Sequence, residues 1–548
     1  MFKQAVALLF AAGCFAEVYR PGPQVLTFRS AIDDSDQPYA LYLPKAFDPS
    51  RAYPLVISLH GEGSNHRFNL RQLFGRGKLP RESDADALAY FPPLRDVDFI
   101  VACPYARGTM GYRGIPEKDV YDVLADVNRR FRIDEERVYL TGVSMGGGGA
   151  LWLALTRPDL WAAIAAVCPN PPEGTDDLLP NALDIPFHFF HGEQDPAVPV
   201  TVSRTWQKRL LDSGARVEYV EYPGIRHNAW DLAYKDGAIF DWFSKFRRSR
   251  FPERVRFVSR AYEYNSAYWV KFDGLTPGTP ASIDARFVAA NQLEIQTGNL
   301  DGFTLTLTGH PRFSTAAAVS LVVDGTRMRA RSSGTVSLMR AATGWKQGLY
   351  QPPTNGKRPG AEGPISRALD SRHIYVYGTA DSPSEDELQR RREVATHAAE
   401  WSTPRARLFV SFPVKADKDV TNRDLASANV ILFGNKVTNR LIERFAPELP
   451  VELNAGAADY GLIFVAPAQG RYVVVSSGLP WWIGADEAKR RGATFMSPPF
   501  RILQTFPDYL LFKGSLENVV VEGLFDRNWK LPPEAAARMR ETGTVVIR

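Results

Sequence analysis

From about residue 24 to 248, short apolar runs alternate with stretches of helical periodicity. QVLTFRSA and PYALYLPKAF flank the polar turn DDSDQ and predict a hairpin. PLVISLHG, DFIVACPY, RVYLTGVS, AAIAAVCP, PFHFFHGEQD and RVEYVEYPG predict further strands, with helices such as Glu117 to Phe131 and SRTWQKRLLDSG between most of them. Continuously apolar strands separated by helices mark a mostly parallel sheet covered on both faces, an α/β fold. From about 251 to 346 the period drops to two, in SIDARFV, QLEIQTG, FTLTLTG and AVSLVVDGT, which predicts a small antiparallel, β-sandwich-like domain. Tyr350 to Pro364, rich in Pro and Gly, reads as a linker. Beyond it, RHIYVYGT, a helix opened by Ser382, Pro383 and Glu385, and the strands RLFVSFPV, NVILFGN, YGLIFVAP and YVVVSSG predict a further mixed α/β unit. The expected division is 1–16, 21–250, 251–346 and 365–548, with no repeat of fixed period.

Composition changes this picture little. A chain of 548 residues divides into several cores, and 45% apolar with 23% charged residues is ordinary for a globular protein. The net charge of +5 is spread thinly, without a basic stripe interleaved with aromatics, which argues against nucleic acid as a partner. Residues 1–16 carry Lys3, an apolar stretch from Ala5 to Ala12 and then small residues, the layout of a cleavable export signal too short to span a bilayer. The expectation is therefore a secreted or periplasmic protein. Cys14 follows Ala-Ala-Gly as in a bacterial lipoprotein signal, but Ala11 stands where leucine is usual, so a lipid anchor is not expected. Pro21, Gly22 and Pro23 then read as a break in structure.

The candidate chemistry sits in RVYLTGVSMGGGGALW, Arg137 to Trp152. Gly142-Val143-Ser144-Met145-Gly146 is a G-x-S-x-G sequence between a strand and a helix, the setting of a nucleophile elbow. Four consecutive glycines, Gly146 to Gly149, sacrifice about 1 kcal/mol of helix propensity each. The expected return is an exposed serine and a helix end close enough to stabilise an anion. A serine hydroxyl needs a base, and the base an orienting acid, in the chain order Ser, Asp, His. Asp195 ends the strand PFHFFHGEQD, and His227 follows the next strand in YPGIRHNAW, so both fall on the edge that carries Ser144. His188 reads as a satisfied core residue and His191 as a brace for the Asp195 loop; His66 lies upstream, and His310, His373 and His397 lie in later domains. Asp184 precedes its strand, at the wrong edge. The loop LHGEGSN follows PLVIS and predicts an oxyanion hole from the Glu62 and Met145 amides, with the Glu62 carboxylate pointing away. No metal-ligand spacing, phosphate loop or cofactor motif accompanies them.

Residues 35 to 245 resemble the α/β-hydrolase superfamily, in particular its prolyl-oligopeptidase-like and feruloyl-esterase or carboxylesterase branch. SLHGEG, the run from Glu117 to Pro169, HGEQDPAVPV and GIRHNAWD carry the match over about two fifths of the chain. The resemblance implies an acyl-enzyme mechanism. It also implies that the strands bearing Cys103 and Cys168 are separated by two others, too far for a disulfide. No propeller-like segment precedes the catalytic core, and the loop between AAVCP and IPFHFF leaves no room for a large lid. A carboxylic ester is therefore the favoured substrate: an aryl or acetyl ester on polysaccharide, or a polyester. The alternative is a serine peptidase of the prolyl-oligopeptidase family, and a further one a polymer-binding protein with a non-catalytic hydrolase fold. Tyr112 and Trp230 are the candidate substrate contacts, with Tyr105 and Trp152 as further wall residues; Trp152 equally suits helix-to-sheet packing. Tyr262 and Tyr264, on one face if YEYNSAYWVKF is a strand, would suit a polymer platform, although aromatics in half-buried strands normally build core.

Overall fold

Eight strands make the first sheet: β1 (Gly22–Arg29), β2 (Asp36–Leu43), β3 (Tyr53–Leu59), β4 (Ile100–Pro104), β5 (Ile133–Val143), β6 (Ala163–Val167), β7 (Phe187–Gly192) and β8 (Val217–Tyr222). Their order in this computed structural model, which describes residues 19–404, 406–484 and 496–548, is β1-β2-β4-β3-β5-β6-β7-β8. The expected export signal, with Cys14, lies outside the described residues. The first two strands pair antiparallel and β3 to β8 run parallel. Pro23 does not break structure: it sits opposite Tyr42 in the edge strand β1, the kind of strand that tolerates proline.

Every residue of β3, β4 and β6 is buried. Alternate side chains feed two separate cores, Leu55, Ile57 and Leu59 on one face, Val56, Val101 and Tyr139 on the other. Helices cover both faces: α1 (His66–Leu73), α2 (Asp84–Ala89), α3 (Ile115–Arg130), α4 (Met145–Thr156), α5 (Thr201–Asp212), α6 (Trp230–Ala233) and α7 (Ala238–Phe243). Cys103 and Cys168 are free and buried, with β3 and β5 between their strands.

Between Arg254 and Gln347 two five-stranded sheets share one core, in which Phe257, Ile283 and Leu321 pack with Phe272, Phe303 and Leu338. All their ladders are antiparallel except that joining Gln292–Gly298 to Val319–Val323. Tyr262 and Tyr264 are not on a strand. They lie in a 3-10 turn and are buried, the Tyr262 hydroxyl donating to the Leu275 carbonyl (3.0 Å) and that of Tyr264 to Glu117 (2.8 Å). Tyr264 packs into the core beneath the first sheet and Tyr262 into that of the two five-stranded sheets, so neither offers a platform to a polymer.

The rest builds a seven-stranded mixed sheet whose core includes Ile374, Ile431, Phe464, Val474 and Leu511, joined by Ile32, Met110 and Ile115 from the first part of the chain. The expected helix spans Glu385–Ala399, but Ser384 rather than Ser382 caps it. RLFVSFPV forms a strand only at its end, Val414–Ala416. Nor is Tyr350 to Pro364 a free linker: Lys357 is buried in an ion pair with Asp508, and the buried Glu362 carboxylate accepts the amides of Tyr262 and Glu263. Among the described residues, no helix is long and apolar enough to cross a membrane.

Candidate active site

Parallel strands end on one edge, and the chain leaving β3, β5, β7 and β8 there supplies Glu62, Ser144, Asp195 and His227. Ser144 has φ 54° and ψ −117°, a strained conformation for a residue with a side chain, held by its N–H on the Val167 carbonyl (2.8 Å). The glycines around it each face a different wall. A Cβ at Gly142 would strike the Gly146 carbonyl, one at Gly146 the Leu59 carbonyl, one at Gly147 the Val167 carbonyl, one at Gly148 the Asn170 carbonyl and one at Gly149 the Tyr112 ring. Glycine lets α4 start in contact with β3 and with the loop after β6. Gly148 N–H is bonded to the Ser144 carbonyl (3.0 Å), so the amides before it at the start of α4 precede the helical ladder.

His227 Nε2 lies 2.9 Å from Ser144 Oγ, and His227 Nδ1 lies 2.6 Å from Asp195 Oδ2. Gly192 allows this approach, since a Cβ there would strike the Arg226 and Ile225 carbonyls. The Asp195 side chain is fully buried, and its Oδ1 accepts the amides of Ala197 (2.8 Å) and Val198 (2.9 Å). Burial alone would raise this carboxyl, but the His227 hydrogen bond and the two amides outweigh it and hold the group below the ordinary carboxylate range. His191 braces the loop, with Nδ1 2.7 Å from Ser203 Oγ and Nε2 3.0 Å from the Val198 carbonyl and 3.2 Å from Asp195 Oδ2. An imidazole held this way can take the serine proton while the carboxylate stabilises the resulting cation.

Cys168, His191 and Asp195 present donor atoms within 4.8 Å of one another, the one such trio among the described residues. Their hydrogen bonds are already committed to Ser203, Val198 and His227, and burial pushes the Cys168 thiol up to about 12, so it holds its proton.

A cavity of about 410 Å³ opens over Ser144 and His227, lined by Gly61, Glu62, Phe68, Leu88, Val143 and Trp230 among others. Trp230 stands edge-on to the His227 ring at 5.3 Å. Tyr112 does not line this cavity. It is buried under Gly149 and its hydroxyl donates to the His60 carbonyl (3.1 Å), a brace for the loop before Glu62. Trp152 packs inside, its Nε1 donating to Glu117 (2.8 Å). Glu62 lines the cavity, and partial burial raises its carboxyl above the ordinary range, where the sequence suggested a side chain clear of the site. His188 is not satisfied: neither ring nitrogen has a hydrogen-bond partner.

The sequence reading missed the opposite wall. Phe68, Gln72, Lys78, Asp84, Ala87 and Leu88 all come from the segment between β3 and β4. Arg71, completely buried, ties that segment together: its guanidinium donates to Glu82 and to the carbonyls of Gly77, Ala87 and Tyr90. The available signal was the length of the stretch between two consecutive core strands and an arginine inside the amphipathic run HRFNLRQL.

The sheet order, the elbow and the Ser, Asp, His order give the first part of the chain an α/β-hydrolase-like fold. Residues 30–209 match the family model described as "Putative esterase". The chain is 31% identical over 119 residues to cutinase est2 of Thermobifida alba, covering 21% of this chain and 38% of that protein. It is 34% identical over 106 residues to a cutinase of Thermobifida fusca (strain YX), covering 19% and 34%. The chain thus spans little more than a third of the length of these relatives. Among solved structures it is similar to a thermostable esterase, at 28% identity over 41% of this chain and 63% of that one, with a TM-score of 0.34.

Proposed function

We propose that the protein is an exported serine hydrolase that cleaves carboxylic esters through an acyl-enzyme. The observation that carries this reading is the position of the His227 ring, 2.9 Å from Ser144 Oγ and 2.6 Å from Asp195. His227 removes the Ser144 proton as Oγ attacks the ester carbonyl, and the carbonyl oxygen takes the negative charge opposite the amides of Glu62 and Met145. The alcohol leaves with the proton from His227. Water, deprotonated by the same ring, then attacks the acyl-serine, and the carboxylic acid departs as Oγ regains its proton.

The cavity favours an ester whose acyl or alcohol part is apolar enough for Phe68, Leu88, Val143 and Trp230. An aryl ester on polysaccharide, or a polyester, fits that chemistry better than an acetyl ester. Residues 21–250 form the catalytic domain in this reading, 251–346 a β-sandwich-like domain and 365–548 an accessory α/β domain, with residues 1–16 directing export. A fluorophosphonate probe and a panel of p-nitrophenyl esters, acylated glycans and Pro- or Ala-linked chromogenic peptides test it. Labelling and ester turnover by the wild type, both absent in Ser144→Ala, are expected. Turnover of peptides well above esters would make the enzyme a peptidase, and no labelling of the wild type would make the fold a non-catalytic one.

A further inference from the structure

The loop after β4 connects two distant parts of the chain. On its inner side, Tyr105 places its carbonyl 2.9 Å from His60 Nε2 and stacks its ring on that imidazole at 6.0 Å. His60 in turn places Nδ1 2.8 Å from the Gly61 carbonyl, while Tyr112 donates to the His60 carbonyl. In a trans peptide the carbonyl and the following N–H point in opposite directions. Turning the Gly61 carbonyl onto the His60 ring therefore aims the Glu62 N–H the other way. Gly61 lies in contact with the nucleophile, since a Cβ on it would be 3.6 Å from Ser144 Cβ.

On its outer side the same loop meets the C-terminal part of the chain. The Phe409 carbonyl accepts hydrogen bonds from Arg107 Nη1 (2.8 Å) and Gln37 Nε2 (3.2 Å). The Phe409 ring stands edge-on to Tyr105, 5.1 Å away at 88°. Arg107 is itself completely buried and is fixed by Asp33 (2.7 Å), Asp119 (2.6 Å) and Ser30 (2.6 Å). Phe409 nevertheless remains 53% exposed, so burial of its ring does not account for its place; its contacts to this loop do.

We infer that Phe409 is a positioning residue for the reaction proposed above: it seats Tyr105 against His60, which orients the Glu62 amide toward the oxyanion. This rests on that reading of Ser144, and it makes the C-terminal part of the chain a participant in turnover. The ring row Phe409, Tyr105, His60 is the path. Phe409 meets the Tyr105 ring, and the neutral His60 imidazole carries a single N–H that it gives to one of the two carbonyls facing it, so the seating of Tyr105 bears on which carbonyl receives that proton.

The full chain is assayed as wild type, Phe409→Ala and Phe409→Tyr, the last keeping the ring. Phe409→Ala should lower kcat on p-nitrophenyl acetate by about threefold to tenfold and slow fluorophosphonate labelling in parallel. KM should stay within about twofold, because binding of this small ester is not touched. Removing a half-exposed ring should move Tm by no more than about 2 °C, and Phe409→Tyr should restore the rate. An active wild type with an equally active Phe409→Ala overturns the inference, as does a rate loss that Phe409→Tyr fails to restore. A wild type that neither turns over nor labels at Ser144 overturns the functional proposal itself, and this inference with it.

Discussion

Gly149→Ala sets two effects against each other at one atom. In an unobstructed helix interior, alanine in place of glycine stabilises by about 1 kcal/mol. At 149 the new Cβ would lie 2.5, 2.6 and 2.7 Å from Cδ2, Cγ and Cβ of Tyr112. Carbon atoms settle at about 3.5 to 4.0 Å, so the tyrosine must retreat by roughly 1 Å. It is only 3% exposed. Overpacking of this kind costs about 1 to 3 kcal/mol, which leaves a net loss of roughly 0 to 2 kcal/mol after the helix gain. Activity should suffer more than stability. The Tyr112 hydroxyl is bonded to the His60 carbonyl, one residue before the oxyanion loop, and a shift of about 1 Å near reacting groups costs up to roughly a hundredfold. Urea unfolding and p-nitrophenyl acetate kinetics on the same preparation separate the two quantities. A Gly149→Ala enzyme that is more stable than the wild type and keeps its kcat would refute the argument that these glycines exist for close approach.

Burial pushes the His188 imidazole down from 6.5 to about 4, with Glu218 raising it and Lys245 lowering it to lesser degrees. The unfolded chain takes up that proton more readily, so stability is fully present above pH 6.5 and declines as the pH falls toward 4, by roughly 3 kcal/mol from this group. His188→Phe should flatten the slope of urea-derived stability between those pH values while leaving neutral-pH activity intact. Arg71→Leu should release the wall segment it ties together: KM for p-nitrophenyl esters rises, kcat stays within about threefold, and limited proteolysis gains sites between residues 74 and 90. Unchanged KM and an unchanged digest would place the wall's order elsewhere.

Much of the first sheet was legible because its central strands are apolar on both faces and helices such as α3 and α5 amphipathic, so period and length pointed the same way. The elbow was legible because five residues are constrained by one turn, and the side chains of Ser144, Asp195 and His227 do meet where strand order puts them. What escaped were features set by distant partners. Tyr112 and Tyr262 carry no local mark that distinguishes a buried aromatic brace from an exposed contact. RLFVSFPV alternates like a strand, yet the side chains of Arg107 and Gln37 claim the Phe409 carbonyl. Lys357 and Glu362 look like the polar content of a linker until Asp508 and the turn at 262–263 supply their partners.

That last joint has a temporal consequence. Lys357 emerges from the ribosome long before Asp508, and Asp508 also receives the Phe525 amide, further on still. During synthesis the ammonium group must stay hydrated, with its stretch undocked, until Asp508 has appeared. The hydrolase sheet can assemble early, whereas the joint between residues 350–364 and the seven-stranded sheet closes only once Asp508 is available.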